Sequence, residues 1–130
     1  ALVYSCPPNF SCGGLADRLK GILSLFLLSI LSRRSFFIDF ETPFLLETVL
    51  STRTVDWRME GVEMLQQMMR AYKYTSKSPS MSFMADGAQV EYREVMNVSS
   101  FAGFADELKD VLEGENRPVW IVTTNLAMFK

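Results

Sequence analysis

Gly13-Gly14-Leu15-Ala16-Asp17-Arg18-Leu19-Lys20-Gly21-Ile22-Leu23-Ser24-Leu25-Phe26-Leu27-Leu28-Ser29-Ile30-Leu31-Ser32-Arg33-Arg34 is the stretch that decides how this chain folds. The paired glycines permit a tight backbone path into a helix. After them, Leu15, Leu19, Ile22, Leu23, Phe26, Leu27, Ile30 and Leu31 keep the three-and-four spacing of one helical face. Leu25 and Leu28 fill the opposite side, and a helix apolar nearly all round is covered on more than one side. The spacing predicts a largely buried helix with a sheet below it and another domain or subunit above. Arg33 and Arg34 fall in its last turn, where cations suit the negative end of the helix dipole. Residues 21–32 are strongly apolar but short of the roughly 20 needed to span a bilayer. A buried helix is the reading preferred over an internal signal-like segment.

On either side of this helix the pattern changes to strands. Leu2–Ser5 is a short apolar run closed by Cys6-Pro7-Pro8-Asn9, and Phe36-Phe37-Ile38-Asp39-Phe40 follows the arginines. Strand, helix and strand within about forty residues make a βαβ unit, whose right-handed crossover sets the two strands parallel. Further on, residues 43–50 read as a short helix, 54–59 as a short extended piece around Trp57, and 61–74 as a helix striped by Val62, Leu65, Met68, Met69 and Tyr72. Met64, Met68 and Met69 are read as core filling rather than an adaptable binding surface. Residues 76–82 read as a loop, 89–98 as a third strand, 101–112 as a helix ending at Gly114, and 119–123 as a further strand. The class is α/β, a Rossmann-like three-layer domain with a mainly parallel sheet.

The composition sets limits. A chain of 130 residues is the size of one domain, and its 48% hydrophobic and 22% charged content is that of an ordinary folded protein. The net charge of −2 offers no general attraction to nucleic acid or anionic membrane, so any anion site must be local. With no histidine, Ser-His-Asp and Cys-His catalysis are excluded within the chain, as are the usual His-rich metal sites. The two cysteines, Cys6 and Cys12, either close a local disulfide or stand as two thiols. Asn9 and Asn97 both open N-glycosylation patterns, which with a disulfide leans towards a secretory compartment. The chain opens in a strand and closes beyond another, and reads as a single α/β domain (1–130) cut from a longer protein.

In a parallel α/β sheet, ligands meet the carboxyl ends of the strands. Three segments reach that edge: residues 6–17, residues 39–41 and Thr123-Thr124-Asn125. Gly13 and Gly14 expose backbone N–H groups at a helix start, which favours an anion such as phosphate. Asp17 suits the helix dipole there, whereas Arg18 opposes it by about 0.3–1 kcal/mol. Arg18 in that place makes sense if it forks onto a phosphate or a carboxylate such as Asp39; a surface or structural arginine is the alternative. Asp39 and Glu41 are candidates for an acid or base, or for a solvated or capping role before Pro43. Asn125 is a candidate ligand contact, and Trp57 and Trp120 are read as core rather than as sugar platforms. Neither Gly-x-Gly-x-x-Gly nor a Walker A motif fits the loop in any register.

The loop and helix 13–22, the arginine pair and the strand 36–40 resemble the opening βαβ unit of GT-B fucosyltransferases. The similarity is to the α-1,6-, xyloglucan α-1,2- and protein O-fucosyltransferase group, which opens with a Gly-Leu-Gly-Asp/Asn-Arg type motif. Val55-Asp56-Trp57-Arg58 is similar to a tryptophan segment of the same group, and residues 119–125 to a later strand ending in Thr-Asn. Ala16 stands where that motif carries its second glycine. The resemblance implies the N-terminal, acceptor-side half of a two-domain inverting glycosyltransferase. Such an enzyme moves fucose from GDP-fucose to a glycan or protein hydroxyl, with no metal or other cofactor. It implies a donor-facing role for Gly13, Gly14, Asp17 and Arg18. It also implies a C-terminal donor-binding domain as partner, and residence in the Golgi lumen, or in the cytoplasm of a bacterium. No nucleic-acid or membrane contact is expected of this segment, nor any transferase activity of the segment alone. Two other readings stand beside it: an α/β binding or interaction module that has lost catalysis, and an unrelated flavodoxin-like binding domain.

Overall fold

The computed structural model describes residues 1–6, 12–40, 45–48, 50–74, 80–85, 88–95 and 119–124, together with Asp106 and Lys109. Strand β1 (Leu2–Ser5) leads through helix α1 (Leu15–Ser32) to β2 (Phe36–Asp39). A 3-10 turn (Leu46–Thr48) and helix α2 (Glu63–Tyr74) precede β3 (Ser80–Ala85), β4 (Ala88–Val95) and β5 (Val119–Thr124). The five strands form one sheet in the order β2-β1-β5-β4-β3. Its β1–β2, β1–β5 and β4–β5 pairs are parallel, the first of them joined through α1 as a βαβ unit, and β3 is antiparallel to β4. This mostly parallel sheet with helices on both faces is compatible with a Rossmann-like fold.

Strict alternation along each strand builds two cores. Leu2 and Tyr4 of β1, Phe36 and Ile38 of β2, and Trp120 and Val122 of β5 face α1, where they meet Ile22, Leu25 and Leu28. Val3, Val90, Tyr92, Val119 and Ile121 face the other way, onto Leu65, Met68, Met69 and Tyr72 of α2. The predicted stripe of α2 is thus its buried face, with Met68 and Met69 in the core; Met64, read as core filling, instead points to solvent on the side away from the sheet.

On α1 the structure corrects the sequence reading. The buried residues are Gly21, Ile22, Ser24, Leu25, Leu28 and Ser29, while Leu23, Leu27, Ile30 and Leu31 are exposed. Gly21 explains the choice of face: a Cβ there would lie 2.1 Å from the Thr124 carbonyl oxygen and 3.2 Å from the Tyr4 ring. The helix therefore seats on its smallest residue, backbone against backbone. The serines on the buried side return their hydroxyls to the helix itself, Ser24 to the Lys20 carbonyl at 2.9 Å and Ser29 to that of Phe26 at 2.6 Å. The helix ends one residue before the arginines. Arg33 takes the left-handed conformation (φ 55°), and the Arg34 N–H closes on the Ser29 carbonyl, so the pair caps α1 rather than lying in its last turn.

Two smaller corrections follow from pairing. Ser80 to Ser82, read as loop, begin β3, because Ser80 to Ala85 register against Arg93 to Ala88. Residues 54–59 form no strand, yet the Ile38 N–H bonds the Trp57 carbonyl at 3.0 Å, so this segment lies along the outer edge of β2. Glu41, Pro43, Gly114, Asn125 and the body of the helix predicted over 101–112 lie outside the described residues.

Candidate functional site

The carboxyl ends of β1, β2, β5 and β4 form one rim, and the residues that leave it differ on the two faces. On the α1 side, Cys6 and Cys12 are joined in a disulfide, with Cα atoms 6.3 Å apart, which ties the end of β1 to the turn entering α1. Gly13 then adopts φ +81°, and a Cβ there would collide with the Asp17 carboxylate at 2.5 Å. Both the backbone and the packing at that position call for glycine. Gly14 is the N-cap, in extended conformation and without a side-chain cap, and space around it is open. Ala16 lies inside α1 on an exposed position, so no positive φ is required of it.

Arg18 folds back over this turn. Its Nε donates to the Gly13 carbonyl at 3.3 Å, and its guanidinium sits 5.2 Å from the centre of the Phe40 ring. Asp17 pairs loosely with Lys20 at 3.8 Å, both exposed. Beneath them the Tyr4 hydroxyl is buried, with no hydrogen-bond partner among the described residues. Burial pushes that phenol up to about 12, and the charge of Arg18 opposes the shift.

On the α2 side the rim is a network of hydroxyls that sequence reading did not assemble. Ser5 Oγ donates to Asp39 Oδ2 at 3.0 Å and lies 3.4 Å from the Tyr72 hydroxyl. Thr123 Oγ1 donates to the Ser5 carbonyl at 2.6 Å and lies 3.3 Å from the Tyr92 hydroxyl, which donates to Glu94 at 2.8 Å. The Tyr72 and Tyr92 rings are 5.4 Å apart. Burial, with a smaller push from the Asp39 charge, raises Tyr72 to about 12, against the bonds it shares with Ser5, Tyr92 and Thr123. Burial raises Tyr92 further. One signal in the sequence does point here: three apolar strands end in Ser5, Asp39 and Thr123-Thr124. Polar residues closing apolar strands at a shared edge are candidates for one network.

The structure thus brings Gly13, Gly14, Asp17 and Arg18 together on one side of the rim and places Asp39 on the other, held by Ser5. A cavity of about 290 Å³ lies apart from both, between Leu19, Leu23 and Phe26 of α1, Ile38 of β2, and Leu50 and Trp57. Its walls are apolar. Among the described residues no cluster of His, Cys, Asp or Glu is arranged to hold a metal ion, and no helix is long and apolar enough to cross a membrane. No family model matches the chain, and no curated protein matches it significantly.

Proposed function

We propose that this chain is the acceptor-side, N-terminal half of a GT-B fucosyltransferase-like enzyme that uses GDP-fucose and is inactive alone. The observation that carries the reading is the turn into α1. Gly13 at φ +81° with Asp17 packed against it, and Arg18 laid back onto the Gly13 carbonyl, make a cationic, N–H-bearing corner at the carboxyl edge of the sheet. Such a corner suits the diphosphate of a sugar nucleotide, since the helix start and the guanidinium both favour negative charge. Asp39, held by Ser5 at the end of β2, offers a carboxylate on the same rim to receive a proton from an acceptor hydroxyl. The disulfide fits an oxidising compartment, such as the Golgi lumen.

A second reading, an interaction module without catalysis, is favoured by the exposed leucines of α1 and the apolar cavity beside them. A chemical-shift titration with GDP-fucose separates the two. The enzyme reading expects weak, millimolar binding with amide shifts at Gly13, Gly14, Asp17 and Arg18, weakened about tenfold or more in Arg18→Ala. It also expects no fucose transfer by the chain alone. Shifts elsewhere, or none at millimolar donor, would sink it, and robust turnover would sink the fragment interpretation.

A further inference from the structure

The two edges of the sheet are finished differently. The outer edge of β2 is covered by the segment around Trp57, whose carbonyl accepts the Ile38 N–H. The outer edge of β3 has no such cover: among the described residues, nothing hydrogen-bonds to β3 from the side away from β4. An open edge is a row of unpaired backbone donors and acceptors, which only another strand satisfies throughout. Edges meant to stay alone carry charge, proline or a bulge. Ser80-Met81-Ser82-Phe83-Met84-Ala85 contains none of these and pairs with β4 without interruption.

We infer that β3 is the contact of a homodimer, in which β3 of a second copy adds antiparallel to β3 and joins the two sheets into one. Three features favour a second copy over a foreign strand. The strand is uncharged, so pairing with itself brings no like charges into the ladder. Met81 and Phe83 already lie half-buried against the α2-side core. A two-fold axis through Ser82 sets Met81 opposite Phe83 of the other copy, extending that core across the contact on both sides of the axis. On the other face Ser82 is held by Glu91, itself beside Arg93, so the buried carboxylate brings its own counter-charge. Met84, 67% exposed, then gains a neighbour in place of water. Six residues make a small interface, hence a reversible dimer whose population rises with concentration.

Sedimentation equilibrium over a concentration series, paired with hydrogen exchange at low and high concentration, tests this. The expected result is a monomer–dimer equilibrium, with β3 amides protected only at high concentration. Met84→Lys should weaken the dimer at least tenfold, because in this register it sets a charge beside Ser80 of the second copy at two symmetric places and removes an apolar side chain that the contact covers. Met64→Lys, also at an exposed methionine but on α2, should leave it unchanged. Circular dichroism confirms that each variant is folded. A monomer at every concentration overturns the inference. So does a dimer that survives Met84→Lys but is lost in Leu31→Lys, which would place the contact on α1.

Discussion

Turned away from the sheet, α2 shows Glu63, Gln67 and Arg70 to water, whereas α1 shows Leu23, Leu27, Ile30 and Leu31. Each helix covers one of the two faces of the same sheet, yet only α2 is amphipathic in the ordinary sense. For α2 the pattern of apolar residues and the pattern of burial coincide at every described position but Met64. For α1 they do not, because leucines on every side leave the apolar periodicity without a direction. What orients α1 is size rather than hydrophobicity: it seats on Gly21, with Ser24 and Ser29 beside it, where the backbones can approach most closely.

The largest effect should come from removing that seat. In Gly21→Ala the new methyl meets the Thr124 carbonyl, which is backbone and has no rotamer to yield, so α1 must lift from the sheet. A loss of about 3 kcal/mol is expected in urea unfolding. A loss under about 0.5 kcal/mol would mean that α1 is free to slide and that Gly21 does not orient it.

Local periodicity made the βαβ unit, α2 and β5 legible, since each is a continuous apolar or striped run. β3 was hidden because Ser80-Met81-Ser82 continues the serine-rich tract before it, and its strand character comes only from pairing with β4. The candidate site divides in the same way. The Gly13–Arg18 corner could be read because glycine, acid and arginine are consecutive in the chain. The hydroxyl network could not, because its bonds join residues 34, 67, 31 and 118 positions apart. Such contacts exist only once the strand order is known.

The next effect belongs to the α2 face and its network. Tyr72 is held neutral to about pH 12 in the fold, against its ordinary 10. A raised folded value means that this contribution to stability is complete below pH 10 and is lost as pH rises towards 12. The two-unit shift corresponds to about 2–3 kcal/mol lost over that window. Tyr72→Phe keeps the ring against Tyr92 but removes the ionisable group. It should cost about 1 kcal/mol at neutral pH and make the alkaline slope shallower by its own share, leaving the shares of Tyr4 and Tyr92. Urea midpoints between pH 8 and 11.5 test this, and an unchanged slope in the variant would show that ionisation of Tyr72 is no part of what high pH breaks.

The smallest effect tests the comparison at its origin. Ile30 and Leu31 are 57% and 68% exposed, so little of either is shielded from water. If the outer face of α1 has no packing role within this chain, the double variant Ile30→Gln, Leu31→Gln should unfold within about 0.5 kcal/mol of the parent. Glutamine is nearly as good a helix former as leucine and better than isoleucine, so propensity adds almost nothing to the result. The argument turns on the contrast with Leu25 and Leu28, which have the same chemistry but sit 0% and 1% exposed against the sheet. There a cut to alanine should cost about 2–5 kcal/mol. A loss above about 2 kcal/mol in the glutamine pair would mean that the outer face is packed in solution, and α1 would then be a central helix rather than a surface one.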